Sequence, residues 1–317
     1  MKMRKGSGVM KKLTAVKDLS HEEWLRYRKR GIGGSDAGAV CGLNPYRTAM
    51  QVYYDKTTDS IETFDNEAMR QGREFEDYVA GRFTEASGKK VRRANFMYYD
   101  ENYPFMLADV DRMVVGENAG LECKTASPYL ADKWKDGKIP LHYQLQCYHY
   151  MSVCNAEAWY IAVLIYGREF KYYRLERDEE MMKDLIQIER DFWENHVQKG
   201  ILPEPDGSEL ADRVIGEYFK ETLAQTIPLS GFDEKLNRRQ ELAELVGRME
   251  MEMKQIEQEL KLYLGEAESA ENEKFRVTWK QMSRQKVDEK RLKEEQPEIY
   301  EKYKKTLRYR RFMVKAA

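Results

Sequence analysis

The chain has 317 residues, of which 42% are hydrophobic and 34% charged, with a formal net charge of −1. Its 21 Tyr and 11 Phe require a buried core, which excludes a disordered protein, and four scattered cysteines without a Cys-x-x-Cys pair exclude zinc, iron–sulfur and disulfide frameworks. The basic start has no apolar signal segment, and the longest apolar run, 158–166, is too short to span a membrane.

Hydrophobic periodicity and turn residues predict a mixed α/β core. A capping-box pattern from Ser20 to Glu23 marks the start of the first helix, and Gly88 marks the end of a long amphipathic one. The predicted elements are a helix at 20–30, a glycine-rich turn at 31–36 in which Ser35 could cap a second short helix, a helix at 65–86, strands at 91–99, 105–115 and 121–125, a helix at 140–155, strands at 156–165 and 169–175, and a helix at 178–199.

A segment rich in Pro and Gly, 201–208, predicts a linker after this core. We therefore expect a basic N-terminal arm at 1–19, one domain at 20–205 and a helical, basic extension at 206–317. The extension carries apolar residues at alternating spacings of three and four between Val246 and Tyr263, which predicts a helix that packs on the core or on a neighbouring subunit.

The last 44 residues contain fifteen Lys and Arg against six Asp and Glu. A basic tail of this kind can hold a phosphate backbone by releasing counterions. A solvated helical surface explains the same charge equally well, so the tail alone does not decide whether the chain binds nucleic acid.

The strongest chemical signal is Asp111 followed across a predicted hairpin by Glu122-Cys123-Lys124. Side chains alternate along a strand, so Glu122 and Lys124 share one face, where Asp111 can meet them from the partner strand. Two carboxylates can hold Mg²⁺, and the lysine can orient or deprotonate the attacking water in phosphodiester hydrolysis. A cross-strand salt bridge is the alternative.

Two further polar side chains are predicted to point inward from helices. Glu76 shares a helical face with Met69, Val79 and Phe83, and Gln144 occupies a comparable place on the helix at 140–155. An inward carboxylate requires a cation or a metal. The alternatives are a buried ion pair of Glu76, with Arg73 or Lys124 as partner, and an amide of Gln144 that bonds to neighbouring backbone.

The third signal is Trp24-x-x-x-Arg28 followed by the glycine-rich turn that ends at Ser35. Glycines allow the backbone to approach a ligand closely, and an arginine beside a helix start can bind a phosphate with charge-assisted contacts. A structural turn with a helix cap is the alternative.

Together these motifs resemble the YqaJ-type viral recombinase family, phage nucleases similar to lambda exonuclease within the PD-(D/E)xK superfamily. The resemblance covers about residues 20–200 and rests on Trp24…Arg28…Ile32-Gly-Gly-Ser35, Gly72-Arg-Glu-Phe-Glu76, Ala108-Asp-Val-Asp111, Leu121-Glu-Cys-Lys124 and Tyr143-Gln-Leu-Gln146. It implies a restriction-endonuclease-like fold, a mixed sheet flanked by helices.

The resemblance also implies roles for individual residues. Asp111, Glu122 and the backbone carbonyl of Cys123 would bind Mg²⁺ or Mn²⁺, and Glu76 would support the metal directly or through water. Lys124 and Gln144 would handle the attacking water. The 5′-phosphate of DNA would be held by Arg28, Gly34 and Ser35. The family pattern Pro-Asp is Val110-Asp111 here, so Asp109 is an alternative ligand.

The resemblance implies a metal-dependent 5′→3′ exonuclease that acts on double-stranded DNA ends in phage-type recombination, within the bacterial cytoplasm. The implied partners are duplex DNA, a single-strand annealing protein and further copies of the chain in a ring-shaped trimer. A structure-specific or single-strand nuclease of the same superfamily and a non-catalytic DNA-end-binding module are the alternatives. Scattered cysteines disfavour the first, because such nucleases usually carry a cysteine-bound iron–sulfur cluster, and Lys124 disfavours the second.

Overall fold

A computed structural model describes residues 10–59, 66–306 and 309–315. The chain divides into two compact units, Met1–Lys220 and Glu221–Ala317. Across the described part of the chain, no helix combines the length and the apolar composition needed to cross a membrane.

The first unit confirms the mixed α/β architecture. Its strands and helices are β1 (Met10–Ala15), α1 (His21–Arg28), β2 (Ile32–Gly33), α2 (Gly34–Val40), α3 (Ala49–Thr57), α4 (Glu67–Ser87), β3 (Val91–Arg93), β4 (Phe96–Asp100), β5 (Met106–Asp109), β6 (Arg112–Val114), β7 (Ala119–Ala126), a 3₁₀ helix (Pro128–Trp134), α5 (Leu141–Cys154), β8 (Ala158–Ile165), β9 (Glu169–Glu176), α6 (Glu179–Phe192), a π-helical turn (Trp193–Val197) and α7 (Glu209–Tyr218).

The strands of this unit form two sheets. The first has the order β1-β4-β5-β2, and the second has the order β3-β6-β7-β8-β9. In the second sheet β7 runs parallel to β8 and antiparallel to β6, so the predicted hairpin between β6 and β7 is confirmed. The predicted arm at 1–19 includes β1, which is an edge strand of the first sheet, while residues 1–9 lie outside the described part.

Two predicted strands are each divided between the sheets. The range 91–99 forms β3 and the start of β4, separated near Asn95, whose φ of +60° is left-handed. The range 105–115 forms β5 and β6, separated at Val110 and Asp111. The chain therefore crosses from one sheet to the other at Asp111, which lies in a bend before β6 and not within a strand as expected.

Helix α5 packs against β4 and β5 of the first sheet and against β7 and β8 of the second. Its side chains Cys147, Tyr150 and Met151 join Trp159 and Ile161 in the main hydrophobic core. Helix α4 covers the opposite face of the second sheet, where a smaller core forms on β7 and β8. Strand β7 is thus buried on both faces, and its residues alternate between two helices.

Local capping explains where the helices begin and end. The Ser20 hydroxyl accepts a hydrogen bond from the Glu23 N–H, and the Glu23 carboxylate accepts one from the Ser20 N–H, which confirms the predicted capping box. Helix α4 ends at Gly88, whose φ is +72°, a conformation that costs glycine little.

The first unit ends after α7 and not at the predicted boundary of 205/206. Ala211 and Val214 of α7 are buried against Met50 of α3, and the ring of Tyr218 lies 6.4 Å from that of Tyr53. These apolar contacts attach α7 to the domain that precedes the Pro- and Gly-bearing segment. The second unit contains α8 (Asp233–Leu264), the hairpin strands β10 (Ser269–Glu271) and β11 (Arg276–Thr278), α9 (Glu289–Glu295) and α10 (Pro297–Tyr303).

Candidate active site

Strand β7 places Glu122 and Lys124 on the face that meets α5, while Leu121 and Cys123 face α4. The alternation expected from the sequence therefore holds. Glu122 is buried, and its Oε1 accepts a hydrogen bond from Lys124 Nζ. That ammonium also lies 4.8 Å from the centre of the Tyr143 ring. Burial alone would lower the pKa of Lys124, but Glu122, Tyr143 and Asp111 together outweigh this effect and raise the pKa.

A glutamine of α5 completes the surroundings of Glu122. Gln146 Nε2 donates to Glu122 Oε1 at 2.7 Å and lies 3.1 Å from the hydroxyl of Tyr150, one helical turn later. The other carboxylate oxygen, Glu122 Oε2, is buried and has no hydrogen-bond partner among the described residues. Burial raises the pKa of Glu122, although Lys124 opposes this effect. A buried carboxylate oxygen without a donor is costly unless a further ligand occupies the place in front of it.

Asp111 approaches the same strand from the bend before β6. Its Oδ2 accepts the backbone N–H of Cys123 at 2.7 Å, so the carboxylate is held beside the middle of β7. Burial, followed by the charges of Glu122 and Glu76, raises the pKa of Asp111 well above its usual value. The predicted convergence of Asp111, Glu122 and Lys124 on one place is therefore present.

Glu76 reaches this region from α4 but is only partly buried. Its carboxylate pairs with Arg112, which also pairs with Asp77 and donates to the backbone oxygen of Asp111 at 2.6 Å. On the face of α4 that was expected to point inward, Val79 and Phe83 are buried as predicted, whereas Met69 is exposed. Arg112 is a buried cation that was not identified from the sequence. Its place directly after Asp111, on an otherwise apolar strand, could have indicated a buried partner for a carboxylate.

Two residues considered for the site, Gln144 and the alternative ligand Asp109, have other partners in the structure. Gln144 Nε2 donates to the backbone oxygen of Ile139 at 2.7 Å, which is the structural alternative foreseen for it, and Gln146 contacts Glu122 instead. Asp109 Oδ2 accepts the indole N–H of Trp24 at 2.6 Å. The Cys123 side chain faces the α4 core, so only its backbone is directed toward Asp111.

A second polar cluster surrounds Asp36 on α2. The Asp36 carboxylate is fully buried and lies 2.5 Å from Arg47, 2.8 Å from Lys56 and 3.5 Å from Arg28. Burial alone would raise the pKa of Asp36, but these three cations hold it well below its usual value. Burial also lowers the pKa of Lys56 to about 8. We call Arg28, Asp36, Arg47 and Lys56 the cationic cluster; only Arg28 was selected from the sequence.

Arg28 links the cationic cluster to the predicted anion-binding turn. Its guanidinium donates to Ser35 Oγ at 2.7 Å and lies 4.8 Å from the Trp24 ring centre. Ser35 is the second residue of α2 and not its cap; Gly33 precedes the helix, and its N–H donates to Asp36. The expectation that Ser35 caps α2 is therefore wrong, because the helix already begins at Gly34 and Gly33 holds the cap position.

Gly34 lies where α2, which carries part of the cationic cluster, packs against α5, which carries Gln146 beside Glu122. A Cβ atom on Gly34 would lie 2.5 Å from Cε1 of Tyr150 and 3.1 Å from Cγ of Gln146, so only glycine allows α2 to pack this closely on α5. The Tyr150 hydroxyl in turn donates to the backbone oxygen of Asp109, whose side chain holds Trp24. The cationic cluster and the surroundings of Glu122 are thus joined through one tightly packed contact.

Comparisons with known proteins agree with this arrangement. Residues 23–157 match the model of the YqaJ-like viral recombinase domain. The chain is 37% identical over 307 residues to the uncharacterized protein YqaJ of Bacillus subtilis (strain 168), covering 94% of this chain and 95% of the relative.

Solved structures show the same fold. The alkaline exonuclease LHK-Exo from Laribacter hongkongensis aligns with a TM-score of 0.50 at 18% identity, covering 62% of this chain and 99% of that one. A structure of LHK-Exo in complex with dAMP aligns with the same TM-score at 19% identity, covering 57% and 94%. Because the identity is low, these two matches concern the fold alone. Sequence identity over nearly the whole length places this chain in the YqaJ-like viral recombinase family.

Proposed function

We propose that the chain is a metal-dependent exonuclease that hydrolyses one strand of double-stranded DNA from its 5′ end during phage-type recombination. The observation that carries the proposal is the buried Glu122 carboxylate, which Lys124 and Gln146 hold by one oxygen while the other has no hydrogen-bond partner within the described residues. Membership of a viral recombinase family and a fold similar to that of an alkaline exonuclease support it.

The residues present fit a divalent cation, Mg²⁺ or Mn²⁺. Burial and then the charge of Glu122 raise the pKa of Asp111, and a cation beside the two carboxylates would relieve this repulsion. Within 10–59, 66–306 and 309–315, no three His, Cys, Asp or Glu side chains form a complete metal-binding group. The metal ligands would therefore be the two carboxylates, the carbonyl oxygen of Cys123 and water, with Glu76 acting through water. Oxygen ligands of this kind suit Mg²⁺.

When bound, the metal supplies Lewis-acid polarisation of the scissile phosphate and a bound water of lowered pKa. Lys124 then acts as a positioned cation. Its raised pKa favours orienting the water and offsetting charge on the phosphate over accepting a proton. Gln146 keeps the Glu122 carboxylate in a single orientation, whereas Gln144, which the resemblance placed at the attacking water, donates to the backbone oxygen of Ile139.

The cationic cluster would bind the 5′-phosphate of the strand being cut. Arg28, Arg47 and Lys56 outnumber the carboxylates Asp36 and Asp55 that pair with them, so positive charge remains for an anion. Arg28 and the Ser35 hydroxyl provide directional donors. A phosphate held there would set the distance from the strand end to the cleaved bond.

This function requires duplex DNA as a partner. The resemblance also implies a single-strand annealing protein and further copies of the chain in a homo-oligomer. The trimeric ring and action in the bacterial cytoplasm remain predictions. A structure-specific or single-strand nuclease and a DNA-end-binding module remain the alternatives.

The test is digestion of linear, closed-circular and single-stranded DNA in Mg²⁺ by the parental chain, by Lys124→Ala and by Lys183→Ala. We expect the parental chain to degrade linear duplex, and Lys124→Ala to lose on the order of 10²-fold or more in rate while still binding DNA. Lys183, an exposed lysine of α6, is the matched control and should be without effect. Digestion by Lys124→Ala at the parental rate would contradict the site, and cleavage of closed circles would contradict exonuclease action.

A further inference from the structure

Helix α8 presents an apolar seam to solvent along three heptads. The seam residues recur at alternating spacings of four and three, and each is between 39% and 82% exposed: Leu242, Val246, Met249, Met253, Ile256, Leu260 and Tyr263. Heptad spacing is the pattern by which one helix packs against another. The seam begins at Leu242, four residues before the predicted start at Val246.

Acidic residues border the seam on both sides. Glu250 and Glu257 directly follow seam residues, whereas Glu252 and Glu259 directly precede them, and all four are exposed. These are the two heptad positions whose side chains meet the partner helix and select it by charge. Lys254 and Lys261 lie one position further from the seam on one side. Between Met249 and Leu260, the surface that a partner would meet is thus apolar in the middle and negative along both margins.

The acidic margins exclude several occupants. In a parallel pair of α8 helices, Glu252 of one copy would face Glu257 of the other, and in an antiparallel pair each margin would face its own copy. Like charges therefore oppose each other in both orientations. The same charges oppose a phosphate backbone or an anionic membrane. A helix with basic margins removes the repulsion and covers the apolar seam.

We propose that α8 is a docking site for an amphipathic helix of another protein, with an apolar heptad seam flanked on both sides by Lys or Arg. This site is separate from the candidate active site and belongs to the second unit. It would bring a partner protein to the nuclease without involving Glu122 or the cationic cluster.

The first experiment uses the full chain as its own probe. A charge-reversed chain carries Glu250→Lys, Glu252→Lys, Glu257→Lys and Glu259→Lys, so its margins are basic while its seam is unchanged. Energy transfer between labelled parental and charge-reversed chains should show association at least about tenfold stronger than parental or charge-reversed chains alone. The association should weaken between about 0.05 and 0.5 M salt, because the margins are exposed.

Met253→Glu in both chains is the control that separates this seam from any other contact between copies, such as one between nuclease domains. It should remove the extra association of the mixed pair. Mixed association no stronger than that of either chain alone overturns the proposal. Self-association of the parental chain that Met253→Glu abolishes also overturns it, because the occupant would then be a second copy.

The second experiment uses a synthetic helical peptide of about three heptads with a Leu seam and Lys at both margins, and a matched peptide with Glu at the margins. Fluorescence anisotropy should show the basic peptide binding the full chain at least about tenfold more tightly. Met253→Glu should reduce its binding even though it adds a negative charge. Stronger binding to Met253→Glu, or equal binding of both peptides, would show a general charge effect and overturn the proposal.

Discussion

Replacing Gly34 with alanine tests whether the cationic cluster and the hydrogen bonds of Glu122 both depend on the close packing of α2 against α5. The added Cβ would lie 2.5 Å and 2.7 Å from two ring atoms of Tyr150, about 1 Å closer than a van der Waals contact. That ring cannot swing away freely, because it is buried and packs against Trp159 at 5.3 Å while its hydroxyl donates to the backbone oxygen of Asp109. The strain must therefore be relieved by moving α2 away from α5.

Overpacking of this kind typically costs about 1–3 kcal/mol of the free energy of unfolding. The matched control is Gly81→Ala in α4, where a new Cβ would meet nothing within 4 Å among the described residues. Relief of the glycine penalty inside a helix should stabilise that variant by about 0.5–1 kcal/mol. Urea unfolding followed by circular dichroism should thus move the two midpoints in opposite directions.

Gly34→Ala should also slow DNA digestion. The new Cβ would also lie 3.1 Å from Cγ of Gln146 and would push this side chain away from the Glu122 carboxylate, whereas Gly81→Ala leaves that hydrogen bond intact. The same digestion assay on 5′-phosphorylated linear duplex measures this effect. If Gly34→Ala is as stable and as active as the parental chain, the tight packing between α2 and α5 does not connect the two clusters.

Three further outcomes are expected. Glu122→Gln should weaken Mn²⁺ binding in calorimetric titration by roughly tenfold or more, because the amide lacks the charge of the carboxylate; unchanged affinity would favour a salt bridge without a metal. The parental chain should digest 5′-phosphorylated ends faster than 5′-hydroxyl ends, and Arg28→Ala should remove the difference; equal parental rates would refute the phosphate pocket. Asp36→Asn should cost about 3–5 kcal/mol at pH 7, because three cations lose their partner. Since the pKa of Asp36 is lowered in the folded state, the stability that this carboxylate contributes is present above the unfolded pKa of about 3.9 and is lost as the pH falls toward the folded value. The difference between the two proteins should therefore shrink below about pH 4, and a constant difference would contradict this role.

The sequence was sufficient for features that depend on neighbours in the chain. The capping box at Ser20, the end of α4 at Gly88 and the alternation of Glu122 and Lys124 along β7 all follow from local backbone geometry. The motifs that carry the family resemblance have the same local character, and so the family could be recognised from them.

The choice between Gln144 and Gln146 could not be made from the sequence. Two residues apart on a helix, these side chains point to nearly opposite sides. Helix α5 is buried on almost all sides, so its apolar pattern marks no single inward face that would favour one glutamine over the other. Only the packing of α5 between the two sheets decides that Gln146 meets Glu122.

The sequence by itself determined which residue types are available for chemistry and which of them share a strand or a helix face. The tertiary structure alone decided where the chain crosses between the sheets at Asp111, which cation pairs with Glu76, and how Arg47 and Lys56 join Arg28 around Asp36. The physical reason is that strand and helix periods are set by local backbone geometry, whereas the partner of a buried charge is set by long-range packing.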